Sequence, residues 1–235
     1  MFRTIYDRLA SLTFGIWLMG GVIVLLAVGS FTGGGAEGSS INDLALFAWL
    51  RGAPLAQSWW LWGTIALLAI LALNTVLCSI ESLRLKYQRG AFLRLIAPQV
   101  MHLGFLFIVL AHLVSAYGSF KGAAAVMEGE TIGFPCGGRL QVANIQAEPG
   151  PMGMPSGYSA AVTMWEEGGV RTATVRPNHP AFYRGFGIYL KQVELFPVRG
   201  AFIEVHREPG AGLALAGALL FTVGNVVLLF VRRGR

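Results

Sequence analysis

The sequence predicts an integral membrane α-helical protein, with four transmembrane helices and a small all-β extracytoplasmic domain between helices three and four. Its 235 residues are 54% hydrophobic and only 13% charged, whereas a soluble domain carries about 25% charged residues. Four apolar runs are each about 20 residues long, the length that crosses a bilayer. Segment 118–209 instead shows the short alternating pattern of β-strands. The composition excludes an ordinary cytosolic enzyme, and the high hydrophobicity excludes a disordered chain.

The four apolar runs carry acidic or basic residues only at their edges. They cover Leu9–Phe31, Trp59–Ile80, Leu95–Tyr117 and Gly210–Val231. Only α-helices allow single apolar segments to cross lipid in this way, because each backbone N–H must be hydrogen-bonded within the segment. The first run has a second interpretation as a cleaved signal peptide, but its apolar stretch of about 23 residues exceeds the usual 7–15. We therefore expect the first span to be retained.

Basic residues predict the orientation of the spans. Nine of them flank the spans on the side that the positive-inside rule makes cytoplasmic. They are Arg3, Arg8, Arg84, Lys86, Arg89, Arg94, Arg232, Arg233 and Arg235. Both termini are then cytoplasmic and segment 118–209 lies outside. The net charge of +6 thus reflects topology, and no nucleic-acid partner is predicted.

The chain divides into helices and loops at 1–117, a β domain at 118–209, and a last helix with a basic tail at 210–235. Five strands are predicted in the β domain, which should form a small sandwich or open barrel. They are Leu140–Ile145, Ala160–Trp165, Val170–Val175, Phe186–Val193 and Ala201–Val205. Residues 148–157, rich in Pro, Gly and Met, are predicted to be a mobile loop.

The two cysteines are predicted not to pair. Cys78 falls at the cytoplasmic end of the second span and Cys136 in the outside domain. About 30 Å of bilayer core would separate them, whereas a disulfide needs Cα atoms within about 7 Å. Cys136 is either a lone redox thiol or, the reading we favour, a buried or incidental cysteine.

Polar side chains inside lipid are costly and are therefore candidates for function. Five of them fall in the spans: Asn74, Gln99, His102, His112 and Asn225. The two histidines share the third span, but ten residues separate them by about 15 Å along a helix and about 80° around it. They cannot bind opposite faces of one haem iron. Each is either an axial ligand completed by a histidine of another helix or a hydrogen-bond partner of a neighbouring helix.

Other candidate residues have simpler interpretations. His179 and His206 in the outside domain are expected to be surface or structural residues. The cluster Trp59, Trp60 and Trp62 is expected to belong to the interfacial aromatic belt, with contact to a flat aromatic ligand as the alternative. The sequence shows no triad, phosphate loop or HExxH motif, which excludes a self-sufficient hydrolase of those kinds.

Local motifs and their order resemble the ResB (CcsB) family of cytochrome c biogenesis proteins. The second span ends in Leu73–Cys78 before a basic stretch, and the third opens with His102-Leu-Gly104. The outside domain adds further motifs before the last span. These are Glu128-Gly-Glu130, Val175–Pro180, Tyr183-Arg-Gly185, Gly187-Ile-Tyr189, Ile203-Glu-Val205 and Glu208-Pro-Gly210.

The resemblance implies a subunit of a cytochrome c synthetase in the bacterial cytoplasmic membrane. Such a subunit works with a CcsA/ResC-like membrane partner, carries haem b across the membrane as transient cargo, and delivers it to apocytochrome c. His102 then corresponds to the axial ligand of the haem iron, shared with a histidine of the partner, and Arg94 is placed to meet a propionate. Ser58–Gly63 does not match the partner's tryptophan-rich motif, and the outside domain is short for the family. No catalytic residue is implied, so the chain is at most a haem-delivering or non-catalytic subunit of a haem lyase.

Three alternatives remain beside haem delivery. The chain is a scaffold that braces the partner without binding haem, an electron carrier with a permanent b-type haem, or a thiol oxidoreductase that uses Cys136. The histidine inventory disfavours the second, because only the third span contains histidine.

Overall fold

The structure, a computed structural model, describes residues 2–32, 41, 44–86, 92–134, 137–150, 155–166 and 169–233. Six helices lie in these ranges: α1 (Phe2–Leu9), α2 (Leu12–Thr32), α3 (Leu46–Gly52), α4 (Leu55–Lys86), α5 (Phe92–Gly118) and α6 (Ala211–Arg233). Of these, α2, α4, α5 and α6 are long and apolar enough to cross a membrane. The prediction of four candidate spans is therefore confirmed, and α4 extends beyond its predicted run at both ends.

The predicted start of the first span is a break between two helices. Ser11 lies in the break and caps α2, because its Oγ accepts a hydrogen bond from the backbone N–H of Phe14 at 3.1 Å. The side chain of Asn74 on α4 donates to the carbonyl oxygens of Leu9 at 2.5 Å and of Ser11 at 3.1 Å. Asn74, one of the polar candidates, thus bonds the carbonyl of Leu9 at the break and adds a second bond to the carbonyl of Ser11, which also accepts from the backbone N–H of Gly15 at 3.2 Å.

We expect Asn74→Leu to destabilise the helical unit by about 2 kcal/mol, because the carbonyl of Leu9 loses its hydrogen bond from Asn74 and the carbonyl of Ser11 loses one of its two. The measurement is the thermal midpoint of the full chain in detergent. Asn225→Leu is the matched control, since Asn225 is only partly buried and donates to the carbonyl of Phe221 on its own helix. Equal midpoints for the two variants would contradict this role of Asn74.

Small residues let the long helices approach closely. On α2, a Cβ added at Gly29 would lie 2.3 Å from the indole ring of Trp60 on α4, so this tryptophan packs directly on α2. On α5, a Cβ added at Gly104 would lie 2.5 Å from the backbone N of Phe221 and 2.6 Å from the carbonyl oxygen of Gly217, both on α6. The pairs α2–α4 and α5–α6 are therefore built on glycine contacts, as is common among membrane helices.

Eight strands follow α5 and precede α6 in chain order: β1 (Phe120–Met127), β2 (Thr131–Gly133), β3 (Arg139–Pro149), β4 (Pro155–Glu166), β5 (Gly169–Val175), β6 (Ala181–Tyr183), β7 (Phe186–Glu194) and β8 (Gly200–Arg207). They form two antiparallel four-stranded sheets, ordered β1-β8-β7-β6 and β2-β3-β4-β5. Both sheets contribute to one hydrophobic core, in which Leu140 and Val162 of one sheet and Ile188 and Ile203 of the other are fully buried. The unit is a small β-sandwich.

All five predicted strands are present, and the structure adds β1, β2 and β6. Strands β3 and β4 also extend to Pro149 and back from Pro155, into the segment predicted to be a mobile loop. Residues 151–154 of that segment lie outside the described residues. The mobile-loop prediction is therefore wrong for the ends of the segment, where backbone pairing between two long strands outweighs the turn-forming composition.

Candidate functional site

A hydrogen bond between two consecutive long helices fixes His102. The Nδ1 atom of His102 on α5 lies 2.7 Å from the Oγ atom of Ser79 on α4. The imidazole is half-buried. Since Nδ1 is occupied by Ser79, Nε2 is the ring nitrogen available to another group, and it makes no hydrogen bond to the residues that the structure describes.

Ser79 is the residue of this site that the sequence analysis does not single out. It follows Cys78 directly, near the end of the second predicted span, and His102 lies near the start of the third. The end of one span and the start of the next lie on the same side of the membrane. This shared side is the signal that could have drawn attention to Ser79 as a neighbour of His102.

Gln99 lies on the same face of α5 as His102. Leu95, Gln99 and His102 occupy positions i, i+4 and i+7, which form one face of a helix. Leu95 is buried. Both polar atoms of the Gln99 side chain, Nε2 and Oε1, are also buried, and neither has a hydrogen-bond partner among the described residues. The structure thus places two of the five polar candidates at one site.

The remaining polar candidates of the long helices lie apart from this face. His112 is exposed on α5, ten residues beyond His102 along the same continuous helix. Asn74 and Asn225 are satisfied by backbone carbonyls, and Arg94 is exposed. No group of three or more His, Cys, Asp or Glu side chains capable of holding a metal occurs within the described ranges. Among the described residues, His102 therefore belongs to no such group.

Two further histidines lie in the β-sandwich. His179 is exposed in the turn that joins β5 to β6. His206 on β8 donates from Nε2 to the Oε2 atom of Glu204 at 3.0 Å and packs against the ring of Tyr189, with centroids 5.0 Å apart. These positions agree with the surface and structural roles expected for both residues.

Glu204 is the centre of a small charge cluster on the sheet. The Nζ atom of Lys191 on β7 lies 3.2 Å from its Oε2 atom. Burial alone raises the pKa of the Glu204 carboxyl, but the hydrogen bond and charge of Lys191, together with His206 and Lys121, outweigh burial and lower that pKa below its ordinary value. The carboxylate is therefore favoured in the folded state.

Because its folded-state pKa is lowered, Glu204 adds stability above the ordinary glutamate pKa, and this stability is lost as the pH falls towards the folded-state value. We expect Glu204→Gln to lower stability at pH 7 by less than about 1 kcal/mol, since Lys191 is half exposed. The variant should also flatten the decline of the thermal midpoint between neutral and acidic pH. Glu194→Gln, at an exposed position of β7, is the control. A parallel decline in wild type and Glu204→Gln would contradict the assignment.

Cys78 adds no second site to the part of the chain that the structure describes. Cys78 is a free thiol, half-buried on α4, and Cys136 lies outside the described residues. The lone-thiol and incidental interpretations of Cys136 both remain untested.

Comparison with known proteins adds two observations. Residues 82–197, which run from the end of α4 through α5 into the segment after β7, match the ResB-like family. Among solved structures the chain is similar to one titled Cytochrome c Heme Lyase CcmF, with a TM-score of 0.46 and 15% sequence identity. That similarity covers 93% of this chain but only 40% of the length of the other. No curated protein matches the chain.

Proposed function

We propose that the chain carries haem across the membrane for covalent attachment to apocytochrome c, because residues 82–197 match the ResB-like family. The family match points to a role in cytochrome c biogenesis. Haem b is the cargo in this proposal, and a CcsA/ResC-like membrane protein is the partner that completes the haem site and joins haem to the apocytochrome.

One observation carries the proposal, the contact between His102 and Ser79. A metal-binding histidine typically uses one ring nitrogen for the metal and donates the other N–H to an oxygen that orients the ring. Ser79 Oγ, 2.7 Å from Nδ1, is such an oxygen. When Nδ1 carries the proton, Nε2 has its lone pair free for haem iron.

The site needs a second histidine from another chain. His112 is about 15 Å from His102 along the helix axis. In the β-sandwich, His206 is engaged by Glu204 and His179 lies in the turn between β5 and β6. In this proposal the partner therefore supplies the second histidine. We place this shared site towards the cytoplasmic ends of α4 and α5, beside the basic segment that the positive-inside rule assigns to the cytoplasm. The β-sandwich then lies outside, on the side where apocytochrome c matures.

Side chains of this chain would bind, orient and shield the cargo. The apolar faces of α4 and α5 exclude water from the porphyrin ring, Ser79 holds the imidazole plane, and His102 binds the iron on one side. No residue is assigned a catalytic role, because attachment to the apocytochrome cysteines belongs to the partner in this proposal.

The test is co-expression of the full chain with a CcsA/ResC-like partner, followed by purification of the complex and measurement of its haem content and absorbance spectrum. Haem delivery predicts about one haem per complex with the spectrum of iron bound by two histidines, and loss of that spectrum when His102 is replaced. Haem-free wild-type complex would overturn the proposal.

A scaffold role is the second candidate, and the same hydrogen bond favours it. A histidine–serine bond between two helices satisfies both polar groups and stabilises helix packing without any ligand. The scaffold predicts that the complex keeps its haem when His102 is replaced but loses its partner when α4–α5 packing is disrupted. Haem content and partner recovery, measured on the same preparation, separate the two functions.

A further inference from the structure

Gln99 carries a polar group that the fold buries and does not satisfy. Its Nε2 and Oε1 atoms are both inaccessible to solvent, and neither bonds to the residues that the structure describes. The asparagines of neighbouring long helices behave differently, because Asn74 and Asn225 donate to backbone carbonyls. A buried amide without partners costs about 1–3 kcal/mol, which a leucine at the same position would avoid.

We propose that Gln99 binds a carboxyl group of the ligand held at His102, and for the proposed cargo this is a haem propionate. The inference rests on the proposed function. A carboxylic acid is matched to both unsatisfied atoms: its carbonyl oxygen accepts from Nε2–H, while its O–H donates to Oε1. In an apolar site the neutral acid is favoured over the carboxylate, so that no cation is needed beside it.

The position of Gln99 fits this role better than that of Arg94. Gln99 lies one turn before His102 on the same face, about 4.5 Å along the axis, whereas Arg94 lies about 12 Å away and is exposed. Both carboxyl groups of haem lie at one edge of the porphyrin ring, and the iron lies at its centre. A ligand bound by iron to His102 therefore brings that edge within reach of the Gln99 side chain when it points towards the start of α5.

The experiment compares haem with haem dimethyl ester, which keeps the ring and the iron but lacks the acid O–H. Each is titrated into the haem-depleted complex of the full chain and its partner, and binding is followed by absorbance. Wild type should bind haem about tenfold more tightly than the ester, a preference of the size of one to two hydrogen bonds in an apolar site. Gln99→Leu should bind both equally, and Gln99→Met provides a second apolar variant of similar length.

A second measurement detects the cost of the buried amide without any ligand. The thermal midpoint of the haem-free complex should be higher for Gln99→Leu than for wild type, because the unsatisfied group is gone. Higher stability together with a lost preference for the free acid is a combination that a purely structural glutamine does not produce.

The outcomes separate this inference from the function on which it rests. If His102→Ala abolishes binding of both haems while Gln99→Leu keeps the preference for the acid, the Gln99 assignment is wrong and haem delivery stands. If Gln99→Leu instead weakens recovery of the partner with the preference unchanged, the amide pairs with a partner helix and the assignment is again wrong. If His102→Ala leaves binding of both haems intact, the proposed function itself fails.

Discussion

Replacing His102 by alanine should reduce the haem affinity of the complex by more than about 100-fold, since loss of an outer-shell partner alone typically costs 10–100-fold and the iron here loses a direct ligand. The absorbance spectrum should change from that of iron with two nitrogen ligands to that of iron with one, the remaining ligand being the partner's. Ser79→Ala should cause a smaller loss, within the outer-shell range, because the imidazole remains but its orienting hydrogen bond at 2.7 Å is removed.

Two further measurements test whether the loss of affinity comes from the missing imidazole of His102. Free imidazole added to His102→Ala should restore the two-ligand spectrum, because it occupies the space of the deleted ring and supplies the same nitrogen. His112→Ala is the matched control, a histidine on the same helix that is exposed and ten residues away, and it should retain wild-type haem content. A His102→Ala complex with unchanged affinity, or one whose loss is matched by His112→Ala, would contradict the proposed ligand.

The elements that the sequence predicts best are those whose pattern is decided locally. An apolar run of about 20 residues has no stable alternative to a membrane helix, and α2, α4, α5 and α6 all appear. Strand β8 alternates between core and surface and was equally predictable. Strand β1 was not, because its Gly122–Ala125 stretch puts small residues on both faces and leaves no alternation in the sequence. Its place in the sheet depends on pairing with β8, about 80 residues later.

The candidate site was predictable only in part, for a similar reason. Residue type and depth select Asn74, Gln99 and His102 equally as polar groups in lipid. What distinguishes them is the contact each makes across helices: Asn74 is satisfied by the break before α2, His102 is oriented by Ser79, and Gln99 is left without a partner. Those contacts depend on the rotation of α4 and α5 about their axes, which hydropathy alone does not define.

Any side chain at Gly104, two residues after His102, should lower the stability of the protein. A Cβ at this position would lie 2.5 Å from the backbone N of Phe221 and 2.6 Å from the carbonyl oxygen of Gly217. Both are backbone atoms of α6, so neither moves aside as the end of a flexible side chain would. The two helices must separate, and overpacking of this kind costs about 1–3 kcal/mol, occasionally more. We expect Gly104→Ala to lower the thermal midpoint of the full chain in detergent.

Gly212→Ala is the control, because it makes the same substitution at a position without a helix contact. Gly212 lies on α6, and a Cβ there meets nothing within 4 Å. Alanine favours a helix over glycine by about 1 kcal/mol, so the same substitution should leave Gly212→Ala neutral or more stable while Gly104→Ala is less stable. Opposite shifts separate helix–helix contact from helix propensity, which favours alanine at both sites. Shifts of the same sign would show that the α5–α6 approach is not as close as the glycine contacts indicate, and Gly104 would then have no part in holding α5, and with it His102, in place.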